Sequence, residues 1–356
     1  MTMTADLTAL FDDETTPLLR RLGQRARGAG ADAAPDPVDA ETRRQVWSAL
    51  TGLGALSGLR SPAEPVTFAR LLDVADLMGA ALYQSPFPDT VTAADLLGVS
   101  GKTALLDGIT ENGRTVALAL RTSGTDHPAS PAPWRVSPDG TTVTAVRKFV
   151  GFATDVDDLL VLGTANGRVC AGLVAVDQPG VLVRRQDDVA AGDLHAVTLE
   201  SAAVTGGVFD VDDDYPGVLA RARVRHGAYL VGSAKAAVRL TGEYLRSRNA
   251  FGAPLAKSTV LAHRLAGLAA EAEAVRALAD AAAEQGPDAR TGARIALLAG
   301  EVARRSAEES VHLHGAFGMT DRCDAQLFYR RAHIDGQWYG TATALRAELA
   351  AALAKS

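Results

Sequence analysis

At 356 residues the chain is too long for a single small fold and has room for two or three domains around a large core. Its composition, 47% hydrophobic and 22% charged, excludes wholesale disorder, and a net charge of −6 without a dense Lys/Arg cluster excludes a nucleic-acid backbone as partner. The two cysteines, Cys170 and Cys323, have neither CxxC spacing nor nearby ligands. That argues against a disulfide framework or metal site and for a reducing, cytoplasmic setting.

The N-terminal stretch is acidic early and lacks the apolar core of a signal peptide, and no later run reaches the roughly 18 apolar residues of a membrane span. Helical periodicity runs through 5–26, where Leu7, Leu10, Phe11, Leu18 and Leu22 recur at mostly helical offsets. It resumes at 39–56 behind Asp39 as N-cap, and again at 66–84. The Gly/Pro/Asp-rich segment 28–39 reads as a loop. Residues 1–101 are therefore expected to form an N-terminal helical domain.

From 102 to 214 the pattern changes to short apolar runs, "TVALAL", "TTVTAV", "DLLVLG", "RVCAGLVAV" and "GVLVRR", separated by the turn signals "SPDG", "ANG" and "DQPG". This spacing predicts a middle β domain or small barrel. After "DVDDDYPG" the helical period returns over about 216–249, 257–285 and 289–314, with a last helix from about 335. In the second of these, Leu261, Leu265, Leu268, Val275 and Leu278 form an apolar stripe with Glu271, Glu273 and Arg276 off it. The expectation for 215–356 is an antiparallel four-helix bundle. The order helical, β, helical excludes a Rossmann fold, which alternates strands and helices.

Two motifs sit at ends of the bundle helices. "YLRSRNAFGAPL" (244–255) places Arg248 beside a Phe251–Gly252 turn, and a guanidinium there suits a diphosphate because its planar fork donates paired hydrogen bonds. A solvated arginine beside a helix-stopping glycine would look the same. "VHLHGAFGMT" (311–320) sets His312, His314, Gly315 and Gly318 where backbone N–H groups can approach a cofactor, although a glycine pair after a helix also serves as a plain C-cap.

"YLRSRNAFGAPLAKSTVLAHRLAGLAAEAEAV" resembles the Arg-x-x-Phe-Gly segment of the acyl-CoA dehydrogenase superfamily, and "HLHGAFGMTDRCDAQLFYRRA" is similar to its His-Gly-Gly segment. "TAVRKFVGFATDVDDLLVLG" is similar to the family's β segment leading to the flavin. The resemblance covers roughly 115–345 in the family's order and implies an α+β fold of the acyl-CoA dehydrogenase type: N-terminal helical domain, middle β domain and C-terminal four-helix bundle. It implies FAD as cofactor. Arg248 would bind the flavin diphosphate across a dimer interface, Phe251 would pack at the cofactor, and Thr259 stands where the family often has glutamine. His312, Gly315, Ala316 and Gly318 would line the adenosine half, Phe149 would replace a tryptophan near the isoalloxazine, and Thr341 would lie near the ring.

In that family a carboxylate removes the α-proton of an acyl thioester while the β-hydrogen leaves as hydride to the flavin. One branch places a glutamate before a Gly-Thr pair, where this chain has Tyr339 in "WYGTATALR". Another places it on the first bundle helix, where this chain has Ala222. A phenol with an ordinary value near 10 is a poor base at neutral pH. Tyr339 thus reads as packing or a hydrogen-bond donor, with His226, Glu243 and Asp335 as nearby alternatives. The family's Thr-Glu-Pro and Gly-Ser-Asp segment is also altered, to "ALRTSGTDHPASPAPW".

The resemblance implies α,β-dehydrogenation of an acyl thioester, carried by CoA or a carrier protein, with FAD. The chain would act in a homo- or hetero-oligomer, a dimer of dimers, in which a second subunit can supply the glutamate. The alternative is a non-oxidising member of the fold, a structural partner subunit or one recruited for elimination or cyclisation.

Overall fold

The computed structural model describes residues 47, 58–61, 63–124, 127–190, 192–250 and 252–354. The expected helices at 5–26 and 39–56, apart from helical Trp47, lie outside the described residues, as does Phe251. The ordered N-terminal part consists of α1 (Pro65–Ala80), α2 (Phe87–Val99) and α3 (Thr103–Thr110). Prolines open α1 and α2 in the first turn, where the missing N–H costs no helical bond.

Eight strands follow: β1 (Val116–Ala119), β2 (Arg135–Val136), β3 (Thr142–Gly151), β4 (Asp158–Ala165), β5 (Arg168–Ala175), β6 (Val181–Gln186), β7 (Leu194–Ala203) and β8 (Thr205–Asp210). The five apolar runs expected as strands correspond to β1, β3, β4, β5 and β6. β7 and β8 were not anticipated, because polar residues interrupt both runs and only tertiary pairing reveals them. The strands form two four-stranded sheets, β1-β4-β5-β8 and β2-β3-β7-β6, rather than a closed barrel. Isolated bridges at Arg121↔Lys148 and Pro133↔Thr164 join them. Their facing sides share one core, in which Ala117, Leu159, Val161 and Val174 meet Val143, Val197 and Leu199. Arg147, fully buried on β3, donates to the carbonyls of Ala132 (2.9 Å) and Leu162 (2.9 Å) and ties the sheets together.

The bundle consists of α4 (Tyr215–Ser247), α5 (Thr259–Gln285), α6 (Ala289–His314), α7 (Ala325–Asp335) and α8 (Ala342–Leu353). A two-residue ribbon, Asn249–Ala250 with Ala253–Pro254, joins α4 to α5. α4 lies at the centre. It approaches α1 so closely that a Cβ at Gly79 would overlap the Tyr229 carbonyl and one at Gly232 the Asp76 carbonyl. Only glycine allows the two backbones to touch there. On α5 the buried positions are Ala272, Val275, Ala279, Ala282 and Ala283, while Leu278 is exposed. The contact surface thus drifts toward small residues instead of following the leucine stripe.

The last helix does not start near 335. α7 ends there, and the chain turns through Gly340 (φ 133°), a conformation closed to other residues. Thr341 then caps α8, its Oγ1 accepting from the Ala344 N–H at 3.2 Å. The break lifts Trp338 and Tyr339 out of the helical register and turns them toward α1, α2 and α4.

Candidate functional site

α1, α2, α4 and the 334–339 segment line a narrow, partly open cavity of about 80 Å³, closed on one side by the loop before β7. Its wall is largely apolar, with Leu71, Val74, Met78, Phe87 and Val91 from the N-terminal helices. A small set of polar groups converges on it, the usual composition of a small-molecule site. Both positions at which the resemblance leads one to look for a glutamate, Tyr339 and Ala222, face this cavity, as do His226 and Asp335. Glu243 is exposed 17 residues further along α4 than His226, roughly 25 Å at 1.5 Å per residue, and takes no part.

Asp335 is saturated. It accepts from Arg331 (Nη2 2.8 Å, Nε 3.2 Å), from the Tyr229 hydroxyl (3.0 Å) and from Gln84 (3.2 Å), a set of donors that fixes it as part of the framework. His226 donates Nε2–H to the Asp335 carbonyl at 2.7 Å, which leaves Nδ1 as the acceptor nitrogen. Its ring stacks on Tyr229 (5.6 Å) and meets the Tyr339 ring edge-on (5.3 Å), and burial pushes its pKa below the ordinary value, keeping it neutral.

Tyr339 is 4% exposed. Burial first, and then the charge of Asp89, push its phenol well above the ordinary value, so it remains protonated and can donate but not act as a base. Its carbonyl accepts from Arg223, which is itself paired with Glu348 (2.8 and 2.9 Å).

The residue that sequence reasoning missed is Asp89, on the first turn of α2 and 6% exposed. Its Oδ2 accepts the Leu118 N–H on the open edge of β1 at 3.0 Å. Burial raises its pKa to about 7, against the smaller opposing pulls of the Leu118 N–H, the Trp338 indole and Arg121. A sequence signal existed in "SPFPDT", where an acidic residue follows two prolines at a helix start, but such an acid ordinarily reads as a first-turn charge favoured by the helix dipole. Arg225 also lines the cavity, reaching Asp95 and Thr92 at 3.4 Å each, whereas Arg221 takes Asp95 bidentately at 2.7 and 2.8 Å. Two arginines therefore share one carboxylate, and the surplus charge lies on the cavity side.

The expected flavin residues divide into two groups. Phe149, at a bulge of β3 with φ 57°, and Thr341, two residues beyond Tyr339, do not themselves line the cavity, and Phe149 is linked to its wall residue Trp338 through Arg121. Arg248, Thr259, His312 and Gly315 are exposed at the far end of the bundle, and Gly318 is buried there. From His226 on the cavity wall to Arg248, α4 runs 22 residues, roughly 33 Å along the helix. At the distal end Tyr244 stacks on His314 at 4.3 Å. A Cβ on Gly318 would lie 2.7 Å from the Val311 carbonyl, so helix-end packing alone accounts for that glycine.

The near group does not fit an isoalloxazine in this chain. The Arg121 guanidinium lies between the rings of Phe149 (5.8 Å) and Trp338 (5.7 Å) and donates to the Gln337 carbonyl (3.3 Å). The Trp338 ring packs directly on Gly151, 3.4 Å from where a Cβ would stand. The polar edge of a flavin needs donors, and the Phe149 N–H is taken by Gln186 Oε1 at 2.7 Å, whereas Thr341 Oγ1 accepts the Ala344 N–H in its helix cap and keeps its own O–H to donate. The side chains of Arg121, Phe149 and Trp338 thus pack against one another at this position.

Among the described residues no group of three or more His, Cys, Asp or Glu is placed to hold a metal, and no helix is long and apolar enough to cross a membrane.

The family described as "Acyl-CoA dehydrogenase, C-terminal domain" matches residues 216–354. The acyl-CoA dehydrogenase IpdE2 of Mycobacterium tuberculosis is 36% identical over 123 residues, 34% of this chain and 38% of that protein. The aligned part thus spans well under half of that relative's length. The structure is similar to that of a Tcur3481-Tcur3483 steroid ACAD variant (TM-score 0.82, 24% identity, 99% of each chain covered). It is also similar to the ChsE4-ChsE5 complex from Mycobacterium tuberculosis (TM-score 0.78, 21% identity, 95% of this chain and 98% of that one).

Proposed function

For a chain that belongs to the acyl-CoA dehydrogenase superfamily, we propose the role of one subunit in a heteromeric acyl-thioester dehydrogenase, its distal edge completing the flavin site of a partner subunit. The observation that carries this reading is the division of the flavin residues: Phe149 packs with Arg121 and Trp338, while Arg248, Thr259, His312 and Gly315 are exposed at the far end of the bundle, Arg248 lying roughly 33 Å along α4 from His226 of the cavity. An arginine fork at that edge suits a diphosphate presented by another chain. The ChsE4-ChsE5 complex supports pairing of two different chains of this fold. The cavity beside Tyr339 suits the apolar acyl part of a thioester, carried by CoA or a carrier protein.

The test is the visible absorption spectrum of the purified chain, alone and after co-expression with a dehydrogenase-like partner encoded beside it. Flavin absorption only in the co-purified complex, reduced by Arg248→Ala in this chain, is the expected result. One FAD per chain in the isolated protein would refute this reading. A colourless complex would favour the second reading, a non-oxidising subunit, for which the protonated phenol at Tyr339 already speaks.

A further inference from the structure

The cavity's polar groups differ in how fully they are occupied. Asp335 is held by Arg331, Tyr229 and Gln84, and His226 spends its N–H on a carbonyl. Asp89 is a buried carboxylate on the cavity wall with fewer donors than Asp335, its Oδ2 fixed by the Leu118 N–H of β1 and a second hydrogen bond coming from the Trp338 indole. Its neighbour Thr90 braces the same strand, accepting from the Val116 N–H at 3.0 Å and donating to the Val116 carbonyl at 3.2 Å. The first turn of α2 therefore positions Asp89 rigidly against a sheet edge rather than on a loop, as a reacting group requires.

We propose that Asp89 is the proton-transfer carboxylate of this cavity, taking the α-proton of a bound acyl thioester whose carbonyl is polarised by Arg225. This rests on the acyl-thioester reading above and supplies the base that is missing at Tyr339 and Ala222 from a helix near the other end of the chain. In the step the α C–H bond breaks, its electron pair moves into the carbonyl to give an enolate, and the proton resides on Asp89 as the carboxylic acid. Exchange of that proton with solvent and its return to carbon complete a redox-neutral cycle that needs no oxidant. An apolar wall that keeps a carboxyl near neutrality gives it the affinity such a transfer needs at physiological pH. The groups that bear on its titration are Arg121 and Leu118 from the sheet side, Arg225 and His226 from α4, and Asp335, Trp338 and Tyr339 from the α7–α8 segment.

The experiment incubates the intact chain in heavy water with butyryl-, octanoyl- and palmitoyl-CoA, measuring binding by calorimetry and α-deuterium by mass spectrometry. At least one thioester is expected to bind and to acquire α-deuterium at a rate that rises with pH and levels off above about 7. Asp89→Asn keeps an oxygen for the Leu118 N–H, and should fold and bind yet lose exchange by on the order of a hundredfold or more, with partial recovery in Asp89→Glu. Binding without exchange overturns the proposal and leaves the thioester reading standing, as does exchange that survives Asp89→Asn but is lost in His226→Gln. Failure of all three thioesters to bind overturns both.

Discussion

Replacing Asp89 by Asn should stabilise the protein, and by an amount set by pH. Burial raises the folded-state pKa of Asp89 to about 7 from the ordinary aspartate value of 3.8. Below pH 3.8 the group is protonated in both states and contributes nothing. Between 3.8 and 7 the unfolded chain releases the proton while the folded chain retains it, so folding stability falls as pH rises. Above 7 the penalty levels off at about 4 kcal/mol, from about 3 pKa units at 1.36 kcal/mol each. Asn carries no such penalty and still accepts the Leu118 N–H, but its amide nitrogen gives up the hydrogen bond from the Trp338 indole. The expected gain for Asp89→Asn therefore rises with pH, up to about 1.5 kcal/mol at pH 5 and up to about 4 kcal/mol at pH 8. Urea unfolding of both proteins at the two pH values, followed by circular dichroism, measures it. A gain independent of pH, or a loss at pH 8, would refute the claim that the carboxylate is buried at a cost, and with it the physical case for its use in proton transfer.

Other expectations follow from the packing and the polar network. Gly232→Ala forces a methyl into the Asp76 carbonyl and should lower stability by roughly 1–3 kcal/mol or more, seen as a lower urea midpoint with an unchanged slope. Asp335→Ala leaves Arg331 buried without its carboxylate and should cost about 3–5 kcal/mol, whereas replacing exposed Glu243 by Ala should change the same melt by less than about 0.5 kcal/mol. Arg121→Ala removes the middle of the Phe149–Trp338 stack and should let the isolated chain quench added flavin fluorescence where the parent chain does not. Equal quenching by both would show that the guanidinium is not what fills that position.

Periodicity and composition alone were enough for the long bundle helices, since α4, α5 and α6 are each long enough for a 3.6-residue pattern to repeat several times. Five apolar strands were legible for the same kind of reason, and the glycine motifs carried the resemblance to a fold. The sequence also made plain that neither usual base position holds a carboxylate, because that depends only on which residues occupy Tyr339 and Ala222. What replaced them was not legible. Asp89 lies 250 positions before Tyr339, and its proximity to that phenol exists only because Gly79 and Gly232 let α1 and α4 touch and Gly340 turns the chain back. The Phe149–Arg121–Trp338 cluster is likewise a matter of three-dimensional contact: these are unremarkable residues in sequence and come together only where the two sheets meet the end of the bundle. Local pattern reports which face of an element is apolar. A carboxylate's pKa, or whether a gap admits a ring, depends on groups from distant segments that share one small volume, and only tertiary structure brings those together.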